Sequence, residues 1–514
     1  MSRMHMGRHG FRGSLVVMLA GALAAACTSP DTTGGSWLDD PGPVDPVDPV
    51  DPDVFVPGDQ TPPSCDPARA VESDGSALLV TDPAVLERFQ LERVLQQLID
   101  NSPGPGKTPL ELLQRLFDTE NSTADAVFAD NMHCDSLDNP AFKNGPSAHC
   151  PRAEGALAKS AGLFDPAHPD YLAPVALVNR MDLMPQSLMT CGEFRIVYAK
   201  ASGRTNPSER VFLILEGALT NPTGAIEGCM PAANLWASLE AETEPEVIAG
   251  KLEKFYFEGL PGLFPLVHPD HFGVIGGEDD PYGATRGQIR LSQHMQDPWV
   301  LREFRASIEG GVAPLSLRPV TVKNNPLPEL FDASQETSAA NEFRMSFLGT
   351  DLILLGGASS AATLQMQTAN LFNAGESAID VSAETNYLTR AQTAGNAGSF
   401  MDQVATQAQA FGIGANCPAE DPLDSEALVA RAAVQTCAGC HAPAQFVGAE
   451  RRLGCGMTFP ESLGEVHIDE NGMISPALEE VFLPRRANVM STYLQFCDIQ
   501  AIFDNLQGGK AIPK

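Results

Sequence analysis

Between residues 82 and 117 apolar side chains recur every three or four positions. In "DPAVLERFQLERVLQQLID", Val85, Leu86, Phe89, Val94, Leu95 and Leu98 share one face, Asp82 stands where a capping side chain is wanted, and Pro83 suits the first helical position. The spacing predicts one amphipathic helix. "TPLELLQRLF" predicts a second, with Thr108 and Glu111 in capping-box spacing and Pro109 in the first turn. The pattern then changes to the β-rich runs "EFRIVYA" and "RVFLILEGA", joined by a Gly-, Asn- and Pro-containing loop, which predicts an antiparallel pair. "GQIRLSQ" reads as a short strand, whereas "EVIAGKLEKFYFEGL", "WVLREFRASI" and "AATLQMQTANLF" read as further helices. Helices and hairpins mixed without βαβ alternation place the fold in the α+β class. Gly412, Gly414, Asn416, Pro418 and Pro422 cluster at a boundary. The expectation is an α+β domain over residues 65–415 and a smaller, all-α unit over 416–514.

Ahead of these elements the chain is of a different kind. Arg3, Arg8 and Arg12 precede the apolar run "SLVVMLAGALAAA" and then Cys27, which together predict an export signal over residues 1–26. "LAAAC" resembles a bacterial lipobox, although Leu23 lies four residues before the cysteine and Ala24 takes the place where lipoboxes put leucine. That resemblance implies cleavage before Cys27, its lipidation, and a cell-envelope lipoprotein at the outer membrane. The proline- and aspartate-rich tract within residues 27–64 cannot form helix or sheet ladders and repels itself, so it predicts an extended stalk behind the anchor. With 33 Lys+Arg against 65 Asp+Glu the formal charge is −32, which argues against nucleic acid and anionic headgroups as partners and permits a basic docking protein. Of eleven cysteines, many for a reducing compartment, Cys27, Cys437 and Cys440 are set aside. Eight remain, an even set suited to disulfides, with Cys134–Cys150 and Cys191–Cys229 the favoured pairs.

The chemistry concentrates in "DPLDSEALVARAAVQTCAGCH". Asp424 or Ser425 can cap a helix that carries Leu428, Ala432 and Val434 or Ala433 on its buried side and is expected to run directly into Cys437. The spacing Cys437, Cys440, His441 is that of covalent haem attachment, one helical turn between two sulfurs and an imidazole next to the second. "PRRANVMSTYLQFCDIQAIFDNL" predicts a closing helix that starts at Pro484. The motif and these two helices resemble the class I c-type cytochromes. The resemblance implies thioether bonds from Cys437 and Cys440 to one haem c and His441 as the proximal iron ligand. It also implies a distal methionine before the last helix, Met457 or Met473. His467 is the rival: "EVHIDENGMIS" reads as a hairpin turning at Asn471 and Gly472, with His467 and Met473 on opposite faces. "LGCGMTFPESLGEVHIDENG" resembles a stretch that accompanies the same CAGCH in bacterial lipoproteins of uncharacterised function, which favours His467. A zinc half-site with Cys455 and His467, or a redox dithiol, are the alternative chemistries of CxxCH.

Elsewhere the signals are weaker. "GPGKT" lacks the glycine of a phosphate loop at Asn101. His268, Asp270 and His271, with His294, form a candidate metal cluster in a Pro-Asp turn. Glu193, Arg195 and Glu376 are either polar groups of a shared site or buried structural ion pairs. "MTCGEFRIVYAK" and "LFNAGESA" resemble segments of the same lipoproteins without implying an activity. The expected function is an exported monohaem electron carrier. The alternatives are a surface interaction module with a structural CxxCH and an exported enzyme that uses the haem as a relay.

Overall fold

A computed structural model describes residues 70–104, 106–137, 139, 149–274, 286–380, 382 and 386–496. The segments expected as export signal and stalk, with Cys27, Cys65 and Cys497, lie outside the described residues. Its centre is an antiparallel sheet of β1 Leu79–Val80, β2 Leu172–Arg180, β3 Thr190–Lys200, β4 Val211–Thr220, β5 Gln288–Gln293, β6 Val300–Ser307, β7 Ser316–Val320 and β8 Ser377–Ala378. Neighbours follow chain order from β1 to β7, and β8 adds to β6. With thirteen α-helices around it among the described residues, α1 Pro83–Leu86, α2 Leu91–Asp100, α3 Pro109–Asp118, α4 Met230–Ala237, α5 Pro245–Glu253, α6 Ser338–Ser346, α7 Leu352–Gly357, α8 Tyr387–Gln392, α9 Phe400–Ala410, α10 Ser425–Ala433, α11 Cys437–His441, α12 Pro443–Val447 and α13 Leu483–Phe496, the fold is α+β.

The expected pair β3 and β4 forms as an antiparallel ladder, with Arg195 opposite Glu216 and Val197 opposite Ile214. The period of two gives these strands two faces. Phe194 packs against Trp236 and Phe255, with ring centroids 5.9 and 4.9 Å apart. Glu193, Arg195 and Val197 face the other way.

Three expected helices differ. The first breaks at Gln90, where ψ is 136°, into α1, a single 3-10 turn and α2. The break frees the Phe89 carbonyl to accept from Tyr198 Oη at 2.9 Å and lets the Phe89 ring meet Tyr256 at 5.2 Å. "WVLREFRASI" is strand β6, not helix. Val300, Leu301 and Phe304 satisfy helical spacing, but the segment is buried on both faces, and the buried Arg302 reaches Glu120 at 2.8 Å and Glu376 at 3.0 Å. "AATLQMQTANLF" holds only 3-10 turns at Ala361–Thr363 and Asn370–Phe372. Tertiary bonds use its backbone instead: Gln367 N donates to Asp351 Oδ1 at 2.8 Å, and Phe372 O accepts from Leu327 N at 2.9 Å.

One compact unit holds all the described residues, and packing runs across the boundary expected near residue 415. Leu428, Val429 and Leu453 share a core with Phe331, Phe347 and Phe400. Val466, Leu478, Met490 and Tyr493 join the core of the sheet, and Tyr493 Oη donates to Ile226 O. The small side chains of Ala430, Ala432 and Ala433 let α10 sit close to its neighbours. The C-terminal helices therefore have no core of their own among the described residues. Cys134–Cys150 and Cys191–Cys229 are disulfides, as expected, and Cys417–Cys455 is a third.

Candidate functional site

The CAGCH segment is a separate short helix rather than the continuation of α10. Helix α10, capped by Asp424, ends at Ala433, and Thr436 starts α11: its hydroxyl accepts from Gly439 N at 3.1 Å and donates to Ala433 O at 2.7 Å. Gly439 is required at this crossing, because a Cβ there would lie 2.0 Å from Ala433 O. From the sheet side, Ser377 on β8 accepts from Ala438 N at 2.9 Å. The motif is thus clamped between α10 and the sheet edge.

Cys437 and Cys440, neither in a disulfide, and His441 all open into one cavity of about 540 Å³, within the usual range for ligand sites. His441 Nδ1 lies 2.6 Å from Glu465 O, and a carbonyl only accepts, so the proton sits on Nδ1 and the Nε2 lone pair is available. Glu465 adopts φ of 66°, in the left-handed region, which aims that carbonyl. Trp299 stacks on the same imidazole at 5.0 Å and 24° between planes, and its Nε1–H is tied to Ser292 Oγ at 2.9 Å and His294 Nε2 at 3.1 Å.

His467 lines the same cavity, its ring centroid 4.9 Å from that of His441. Its Nδ1 lies 2.9 Å from Ser475 Oγ, and its Nε2 lies 3.2 Å from the Cys440 thiol. The hairpin that carries it pairs Ile468 with Ile474, and Asp469 N donates to Met473 O at 2.9 Å. Three residues, Glu470 to Gly472, therefore make the turn, one more than the two expected. Of the two methionine candidates, Met473 is 57% exposed, while Met457 is buried in the core beside α10. Neither lines the cavity, and His467 does.

Opposite the motif the cavity floor is the second face of the sheet: Val178 and Arg180 on β2, Glu193, Arg195 and Val197 on β3, Ile214 and Glu216 on β4, and Gln288 and Arg290 on β5. Arg195 bonds Glu193 at 2.7 Å and reaches Glu216 at 3.0 Å, so these groups are both cavity wall and ion pairs. Burial pushes the Glu193 carboxyl up, but the charges of Lys323, Arg195 and Arg290 outweigh it and hold it below its ordinary value. Glu376 lies elsewhere, bonded to His149 at 2.8 Å and lining a small cavity on the other side of α11. The remaining walls mix apolar residues, Phe459, Val466, Leu478, Phe482 and Val489 among them, with charged ones such as Asp182, Lys323 and Arg486. Arg180, Glu216, Arg290, Trp299, Glu465 and Arg486 were not singled out from sequence. The one available signal was a charge at an alternate position of an otherwise apolar strand, as at Glu216 in "VFLILEGA".

The electrostatics distinguish the chemistries open to CxxCH. Burial pushes the Cys437 thiol up and, with Cys437 beside it, Cys440 up to about 12, the reverse of a reactive dithiol. Burial lowers His441 to about 4 and, aided by His441, lowers His467 well below its ordinary value, so both imidazoles are neutral at pH 7 and able to ligate. A zinc site would need Cys455, which is bridged to Cys417. Among the described residues no group of three or more His, Cys, Asp or Glu side chains is arranged to hold a metal ion by itself. This covers the Pro-Asp turn: His268 Nδ1 accepts from Asp270 N, His271 is buried with Nδ1 donating to Leu266 O at 3.0 Å, and His294 sits apart beside Trp299.

The chain matches no protein-family model, no curated protein and no solved structure. No helix among the described residues is long and apolar enough to cross a membrane.

Proposed function

We propose that the protein is an exported, lipid-anchored c-type cytochrome that carries one covalent haem and passes single electrons to a partner protein. The supporting observation is the convergence of two unbridged thiols, the Nε2 lone pair of His441 and the Nε2 of His467 on one cavity. The donor set fits haem c: Cys437 and Cys440 would hold it by thioethers, His441 would be the proximal ligand and His467 the distal one. Haem c, when bound, supplies a reversible one-electron couple.

The chain's own residues do the rest. The Glu465 carbonyl and the Trp299 ring fix the tautomer and plane of His441, a role outer-shell partners commonly play for ligating histidines. With Cys440 held in a thioether, no S–H would remain to face His467 Nε2, and that nitrogen would be available as a ligand. Phe459, Phe482 and Leu478 supply an apolar part of the cavity wall. Helices α10, α11 and α13 act as a cytochrome c-like unit whose pocket the sheet closes. Cys27 would anchor the chain at the outer membrane, and the acidic surface suits a basic redox partner.

A pyridine haemochrome spectrum on protein matured in the periplasm tests this. An α-band of two thioether bonds that survives denaturation and disappears in Cys437→Ala is expected; absence of covalent haem would leave a surface interaction module. His467→Ala should abolish the low-spin spectrum, whereas Met457→Leu and Met473→Leu should leave it intact. The charged strand face beneath the motif favours one second reading, an exported enzyme using the haem as its relay. Turnover lost in a folded His441 variant would select it.

A further inference from the structure

Arg486 lies in the first turns of α13 and lines the cavity at 8% exposure. Its nearest carboxylate oxygen, Asp182 Oδ1, is 3.9 Å away, and its Nε has no hydrogen-bond partner. Asp182 is already engaged, because Arg180 bonds its two oxygens at 2.8 and 2.9 Å. Six basic and three acidic side chains line the cavity of a chain whose formal charge is −32. Burial and the neighbouring Arg180 both disfavour a charge on Arg486. A buried guanidinium whose one carboxylate neighbour is distant and already bonded to another arginine is costly in a protein interior.

We infer that Arg486 seats a carboxylate of whatever fills the cavity. Two sources share that chemistry, a propionate of the attached haem or a free small carboxylate bound beside it; the first rests on the haem reading and the second does not. The test uses the full chain expressed with c-type maturation as wild type, Arg486→Met and Arg486→Lys. Methionine keeps most of the volume and removes the charge. If Arg486 has only the distant Asp182 to face, that change relieves a penalty and raises the melting temperature; if it seats an anion, the change strands the anion and lowers it, with lysine restoring most of the loss. Arg486→Met melting at or above wild type, with no acetate-dependent stabilisation of the wild type, overturns the inference. Should that variant not accumulate, Arg486→Gln is judged by the same criterion.

The haem itself separates the sources. A lowered midpoint potential in Arg486→Met, recovered in Arg486→Lys, identifies a propionate. An unchanged potential, with acetate raising the melting temperature of wild type but not of Arg486→Met, identifies a free carboxylate. If the wild type carries no covalent haem the cytochrome reading fails, and the acetate titration alone decides whether Arg486 binds an anion.

Discussion

Trp299 and His271 carry the sharpest expectations for single residues. Trp299→Leu removes a buried ring, so it should cost about 3 kcal/mol of stability. On the cytochrome reading it should also shift the electron paramagnetic resonance g-values of the haem, because the plane of His441 loses its support; Trp299→Phe, which keeps the stacking, should leave the g-values near wild type. His271 is lowered from 6.5 to about 4 by burial. Below pH 6.5 the unfolded chain then binds more protons than the folded one. Its contribution of roughly 3 kcal/mol is therefore whole above pH 6.5 and lost as the pH falls toward 4. Urea melts of His271→Gln should show a shallower acid slope, with the other buried histidines supplying the remainder. Cys437, Cys440 and His441 were legible as candidates because their pattern is written in local spacing, and the structure brings them to one cavity. Trp299, Glu465 and Arg486 were not, since each meets the site through contacts between segments far apart in the chain.

Among the elements, α11 depends on a cap. Thr436 is buried and bonds at both ends, so Thr436→Ala should lower stability by about 1–2 kcal/mol and, on the cytochrome reading, reduce covalent haem content, measured by gel staining against total protein. Capping signals read well from sequence: Asp82, Thr108 and Asp424 all act as N-caps. Periodicity failed where burial was two-sided. In β6 the apolar positions fit a helix as easily as a strand, and nothing local announces that Arg302 will find two buried carboxylates. The turn at residue 434 failed for a related reason. Alanine and valine carry no signal of a break, and the break is set by Gly439 passing under the Ala433 carbonyl.

For the molecule as a whole, the shared cores matter most. Residues 416–514 expressed alone should be largely unfolded by circular dichroism and should not bind haem, since Val466, Leu478 and Tyr493 pack into a core that the fragment lacks. A folded, haem-loaded fragment would show that those contacts are dispensable. The Cys417–Cys455 disulfide closes a loop with a sequence separation of 38, so Cys455→Ser should cost about 2–4 kcal/mol in denaturant melts. Both cysteines of CAGCH open inward, onto a cavity roofed by α13 and floored by the sheet. A maturation enzyme working from outside would reach those sulfurs more readily before the roof is in place. On the cytochrome reading, haem addition would therefore belong to biogenesis, ahead of the docking of the last helix, and newly exported chains would linger in an open form long enough to receive it.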